Sequence, residues 1–173
     1  LPNRRLLNDR LEIAFSASKR SGRYGAIMFM DLDNFKPIND THGHKVGDLL
    51  LIEAAKRIVS CVRETDTVAR FGGDEFVVVL TELALDAATS TKQAVGIAEK
   101  ICAAMAERFV LAKHNEENLQ VNVVHHCTSS IGIAMFKQEA NREELLKLAD
   151  IAMYEAKQGG RNRIVVNPQM SSN

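Results

Sequence analysis

The stretch Arg70-Phe71-Gly72-Gly73-Asp74-Glu75-Phe76, followed by Val77-Val78-Val79-Leu80, decides how this chain is read. Two glycines sit between apolar runs, and two adjacent carboxylates follow them. The spacing predicts a hairpin of residues 67–71 and 75–80 around Gly72-Gly73, with glycine at both turn positions, as turns with positive φ require. A second acidic stretch, Asp31-Leu32-Asp33, closes the apolar run of residues 26–30, which is short enough for a buried strand. That strand is expected to end here. Asp31 and Asp33 are then free to diverge, although a continuing strand would hold both on one face. Carboxylates clustered at the ends of buried strands repel one another and resist desolvation. A divalent cation is the compensation, and with it phosphate chemistry, because carboxylate, carbonyl and phosphate oxygens are what Mg²⁺ takes. Asp31 and Asp74 are the expected carboxylate ligands, with the Leu32 carbonyl as a third donor. Asp33 is expected to point away from the metal as a structural group. Glu75 is expected off the metal side or near the nucleophile.

The rest of the chain alternates helical and strand patterns. Residues 4–19 carry Leu6, Leu7, Leu11, Ile13, Ala14 and Ala17 at roughly helical spacing. Residues 34–44, interrupted by Pro37 and Gly43, read as a short helical turn plus loop. Residues 45–61 read as an amphipathic helix with Val46, Leu49, Leu50, Ile52, Ala55 and Ile58 inward. Residues 86–110 read mainly as helix, and 113–119 as a polar turn. Residues 121–128 and 129–136 read as strand material, a pair or one bent strand. Asn141 caps a helix that opens with Glu143 and Glu144 at its positive end and stops at Gly159-Gly160. Residues 163–166 form a last strand. The expected fold class is α+β, a mixed central sheet with packed helices. No repeat or linker divides it, so residues 1–168 form one domain and 169–173 a polar tail.

Of 173 residues, 46% are hydrophobic and 25% charged, and Lys plus Arg equals Asp plus Glu. The balance argues against a broad nucleic-acid surface but not against a local basic pocket. No apolar run approaches the roughly 20 residues of a membrane span, so no direct membrane contact is expected. Cys61, Cys102 and Cys127 are odd in number and scattered, and read as reduced thiols of a cytoplasmic protein. The start, Leu1-Pro2-Asn3-Arg4-Arg5, reads as the middle of a longer protein.

A basic complement follows the acids. Lys157 and Arg161 flank Gln158-Gly159-Gly160. A point charge and a bidentate fork are complementary ways to hold a polyphosphate. The turn of residues 33–35 offers backbone N–H groups to the same end. There is neither a GxxxxGK[ST] loop nor a GxGxxG turn.

These residues resemble the GGDEF domain family, the diguanylate cyclases. The likeness rests on Gly72-Gly73-Asp74-Glu75-Phe76, on Leu1 to Arg5, and on Asp31-Leu32-Asp33-Asn34-Phe35-Lys36-Pro37-Ile38-Asn39-Asp40. Gly43-His44, Gly47-Asp48, Ser130-Ile131-Gly132 and Tyr154 through Asn162 extend it, in the family's order. The resemblance implies a palm-like fold similar to class III nucleotide cyclases. It implies condensation of two GTP to 3′,5′-cyclic di-GMP with release of two pyrophosphates, at the interface of a homodimer. It implies Mg²⁺ or Mn²⁺ on Asp31, Leu32 and Asp74. Glu75 resembles the residue that deprotonates the 3′-hydroxyl or holds a metal. Asn39 and Asp48 resemble the guanine readers, and Lys157 and Arg161 the phosphate clamps. The resemblance implies that Phe35, Lys36, Gly72 and Gly73 line the nucleotide, with His44 nearby. The family also places a product-binding site at Arg63-Glu64-Thr65-Asp66, where Arg63 and Asp66 would bind cyclic di-GMP as an inhibitor, with Arg20, Arg23 or Arg108 as basic partner. An upstream regulatory module is expected, in a parent protein that can be membrane-anchored. The alternative is a catalytically silent domain that binds GTP or cyclic di-GMP. His125-His126 are neighbours in a strand and would not chelate together.

Overall fold

A ten-residue apolar strand with both faces covered organises the chain. The computed structural model describes residues 1–138 and 140–169. In chain order the elements are α1 (Arg4–Ser21), β1 (Tyr24–Asp33), α2 (Lys36–His42), α3 (His44–Cys61), β2 (Thr67–Gly72), β3 (Glu75–Leu80) and α4 (Ala87–Ala106). Then come β4 (Phe109–His114), β5 (Gln120–His125), β6 (Thr128–Lys137), α5 (Arg142–Gln158) and β7 (Arg163–Val166). Five strands form one sheet in the order β2-β3-β1-β6-β7, antiparallel except for the parallel pair β6–β7. The α+β mixed sheet with packed helices is the expected class.

β1 lies at the centre, which is why its sequence is a continuous apolar run rather than an alternating one. Ala26, Met28, Met30 and Leu32 join the core shared with α3 and α4, together with Val46, Leu50, Ile58, Ala98 and Ile101. Ile27 and Phe29 join the opposite core with Leu7, Leu11 and Phe15 of α1 and Leu145, Ala149 and Met153 of α5. Asn141 caps α5, its side chain accepting from the Glu144 N–H at 3.0 Å, a contribution of about 1 kcal/mol.

Several expectations are corrected. β1 does not end before the acids but runs through Asp33, held by its ladder to β6 as far as Asp33 opposite Thr128. Asp31 and Asp33 therefore share one face. The hairpin turn is Gly73-Asp74; Gly72 belongs to β2 opposite Glu75, after a register shift, and only Gly73 has a positive φ, 52°. The helix read over 86–110 stops at Ala106, and residues 109–114 form β4, which pairs with β5 in a separate two-stranded sheet. β5 and β6 are thus not partners, and the polar turn shrinks to residues 115–119. In α3 the inward face holds Leu51 and Ala54, while Ile52 is exposed; in α1 Leu6 and Ile13 are exposed and Phe15 is inward. Of the tail, residues 170–173 lie outside the described residues.

Candidate functional site

Strand pairing builds the acidic cluster. β1 sets Asp31 directly opposite Glu75 of β3, so both side chains occur on the face that α1 and α5 cover. The turn then brings Asp74 beside Leu32, whose N–H donates to the Asp74 carbonyl at 3.2 Å. Arg70 fastens the turn by donating Nε–H and Nη2–H to the Gly73 carbonyl at 2.9 and 2.7 Å. From the last turn of α5, Lys157 Nζ donates to Asp31 Oδ2 at 2.6 Å. One cavity of about 390 Å³ is lined by Asp31, Leu32, Asp33, Asn34, Phe35, Lys36, Asp74, Lys157 and Arg161, among others.

Asp33 is the anchor behind this cavity. It is 2% exposed, and its carboxylate accepts from Thr128 Oγ1 and Ser130 Oγ, both at 2.7 Å, and from the Asn162 N–H at 3.0 Å. The last bond holds the loop after α5, where Arg161 and Asn162 adopt left-handed φ values of 62° and 44°. Two such residues cost of order 1 kcal/mol each, and the bond to a buried carboxylate offsets that cost. Arg161 is thereby presented to the cavity. Ser130 belongs to the Ser130-Ile131-Gly132 motif with no role attached, and Thr128 belongs to no motif; polar residues facing inward in an otherwise apolar strand are the signal that marks their supporting roles.

The electrostatics suit a cation beside the Lys157 ammonium. Burial pushes the Asp31 carboxyl up to about 6; the Lys157 hydrogen bond opposes the rise and the charge of Asp74 adds to it. Glu75 is also raised, first by burial and then by the charges of Asp150 and Asp74. Among the described residues no three His, Cys, Asp or Glu side chains form a cage. Two carboxylates and the Leu32 carbonyl fit instead a cation that completes its shell with water and phosphate, as Mg²⁺ does. The sign of the pH effect follows. A carboxyl whose folded pKa is raised contributes stability that is present below about 4 and is lost as pH rises through about 6. Mg²⁺ should therefore raise the melting temperature more at about pH 7.5 than at about pH 5, measured by calorimetry on metal-free protein. An equal rise at both would remove Asp31 from the ligand set.

The remaining expected residues lie around this centre. Asn39 of α2 is laid over Gly47 of α3, where a Cβ would meet Asn39 Oδ1 at 1.8 Å. That brings Asn39 to the residue preceding Asp48. Asp48 is exposed and lines a separate cavity of about 450 Å³ with Leu51, Ile52 and Arg70. His44 is exposed at the start of α3 and lines neither cavity. Gly72 and Gly73 are exposed at the hairpin tip.

Arg63 and Asp66 line a third cavity, of about 350 Å³. Asp66 shapes its turn: Oδ2 accepts from the Arg63 N–H at 2.9 Å and Oδ1 from the Thr81 N–H at 3.1 Å. The Arg63 side chain is exposed. The basic residue that joins them in this cavity is Arg10 of α1, whereas Arg20, Arg23 and Arg108 do not line it.

Comparison with known proteins agrees with this geometry. The family described as "Diguanylate cyclase, GGDEF domain" matches residues 1–163. The bifunctional diguanylate cyclase/cyclic di-GMP phosphodiesterase MucR of Pseudomonas aeruginosa is 44% identical over 163 residues, which are 94% of this chain and 22% of that protein. The GGDEF domain of YfiN (TpbB) from Pseudomonas aeruginosa is similar at a TM-score of 0.79 and 35% identity, with 98% of each chain covered. The GGDEF domain of DgcB from Caulobacter crescentus, solved in complex with c-di-GMP, is similar at 0.78 and 28%, covering 98% of this chain and 92% of that one. The chain spans about a fifth to a third of the length of the curated relatives it matches. Among the described residues no helix is long and apolar enough to cross a membrane. A family match along nearly the whole chain, on a fold shared from end to end, shows that this chain belongs to the GGDEF family, the diguanylate cyclase domain.

Proposed function

We propose that this domain condenses two GTP into 3′,5′-cyclic di-GMP and releases two pyrophosphates, each subunit of a homodimer holding one GTP. The observation that carries this is the convergence of Asp31 and Asp74 with Lys157 and Arg161 on one cavity. In each of the two condensations a 3′-hydroxyl loses its proton, its oxygen bonds to an α-phosphorus, and pyrophosphate leaves. Asp31, Asp74 and the Leu32 carbonyl would hold Mg²⁺ or Mn²⁺, which would supply charge neutralisation at the reacting phosphate and a more acidic hydroxyl. Lys157, paired with Asp31 in the free protein, and Arg161 take phosphate oxygens. Glu75, raised by burial and neighbouring acids, is suited to accept the hydroxyl proton or to join the metal ligands. Phe35 and Lys36 border the phosphates, together with N–H groups of the turn between β1 and α2.

Asn39 and Asp48 read guanine in this proposal. Guanine offers N1–H and N2–H₂ as donors to a carboxylate, whereas adenine lacks both. Asp48→Ala should cut the preference for GTP over ATP by about 10²-fold or more. A turnover assay in which the mutant keeps full preference would remove the assignment.

Product inhibition through Arg63 and Asp66 belongs to the same proposal, and the DgcB complex supports product binding in a related domain. Arg63→Ala should weaken cyclic di-GMP binding about tenfold or more, the loss of a charged hydrogen-bonding partner, and leave turnover unchanged. Calorimetry with unchanged product affinity would refute it. A GTP substrate fits a cytoplasmic domain, and that location belongs to this proposal.

The test of the whole is GTP turnover with Mg²⁺ or Mn²⁺ at rising protein concentration, with products resolved by chromatography. Cyclic di-GMP formed more steeply than linearly in protein is the expected result, because two loaded halves must meet. No product, even from an artificially dimerised form, would replace this reading with the silent binding domain.

A further inference from the structure

We propose that the groove between α2, the start of α3 and β4 is a binding site for a small organic phosphate, distinct from the nucleotide and product sites. This groove, about 460 Å³, is rimmed by His42, Lys45, Lys113 and His114 over an apolar floor that includes Val46 and Leu49. Among the described residues no acidic side chain lines it, although acids and bases balance over the whole chain. None of the four basic side chains forms an ion pair among the described residues. Further positive character gathers there. The first turn of α3 holds no acidic residue, and its N-cap, Gly43, makes no side-chain capping bond, so no side chain of that turn offsets the positive end of the helix.

Two lysine charges and two imidazole donors brought together with no acidic side chain among the lining suit an anion. A phosphate monoester matches them, with its two charges and three acceptor oxygens. The floor calls for an apolar or planar group on the same molecule. The volume falls within the roughly 300–1,000 Å³ of small-molecule pockets. A long polyanion fits poorly, because the β4–β5 turn just past His114 carries Glu116 and Glu117. The groove shares no lining residue with the cavity of Asp31 or with that of Arg63. His42 and Lys45 flank Gly43, the joint between α2, which carries Asn39, and α3, which carries Asp48.

The test is an NMR titration of the full chain with phenyl phosphate, following the rings of His42 and His114. Inorganic phosphate serves as the probe of the headgroup alone. Saturable shifts at both rings are expected in the wild type and in Lys157→Ala, which disables the catalytic phosphate clamp. Inorganic phosphate should bind more weakly than phenyl phosphate. The double variant Lys45→Glu, Lys113→Glu should weaken binding about tenfold or more, since each lost partner is a charge-assisted hydrogen bond. The neutral pair Lys45→Gln, Lys113→Gln gives the same reading should charge reversal disturb the fold. Absence of shifts, shifts unaltered in both double variants, or shifts abolished by Lys157→Ala would overturn the site. Equal affinity for the two phosphates would overturn its organic ligand.

Discussion

Asp31→Asn should lower cyclic di-GMP formation by about 10³-fold or more while leaving the metal-free protein at least as stable near neutral pH. The substitution keeps shape and removes charge. A neutral amide is a poor ligand for a hard divalent cation, and the proposed reaction takes several kcal/mol of charge stabilisation from that cation. The stability half of the expectation has a separate cause. Burial holds the Asp31 carboxyl up to about 6 and the charge of Asp74 adds to that rise, so the ionised group opposes folding above that pH. The amide ends this opposition, while Lys157, itself half-buried, regains water in place of its 2.6 Å bond. Turnover and thermal melting together separate the two effects. A variant within about tenfold of wild-type turnover would end the assignment of Asp31 as a ligand. A melting temperature well below wild type would mean that the Lys157 pair stabilises the fold and outweighs the cost of burying the carboxylate.

Gly132→Ala should destabilise the domain by about 3 kcal/mol or more. Gly132 lies in β6, where α5 approaches closely. A Cβ there would meet the Ala149 carbonyl oxygen and the Met153 nitrogen, both at 2.1 Å, and the Ala152 carbonyl carbon at 2.7 Å. All three are backbone atoms of one helix turn and cannot rotate aside, so the whole helix must move. Because α5 carries Lys157, the variant should also lose turnover under conditions where it still folds. Gly96→Ala is the control of opposite sign. Gly96 lies inside α4, and a Cβ there would meet no atom within 4 Å beyond its own helix backbone. Alanine should stabilise the helix by up to about 1 kcal/mol. Denaturant midpoints measure both. A Gly132→Ala midpoint equal to wild type would show that α5 shifts freely on the sheet.

Much of this protein was determined by local sequence. The apolar run before Asp31 is short enough for a buried strand, and it is one. The Asn141 cap and the Gly159-Gly160 stop bound α5 to within a residue, because capping depends on neighbouring residues alone. The acids and bases that meet at one cavity were legible for the same reason, since charge type is a property of each side chain. Where α4 ends was not legible. Met105 and Phe109 are four apart and both buried, so they continue the helical stripe. What turns residues 109–114 into a strand is the ladder to residues 120–125, a partner that local periodicity does not see. The length of β1 was decided the same way, by its pairing with β6 through Asp33. The site itself belongs wholly to the tertiary structure. Asp31 and Lys157 meet across a separation of 126 residues, and Asp33 positions the Arg161 loop across 129. Such contacts depend on where the sheet and α5 bring distant segments together, and no single stretch of chain carries that information.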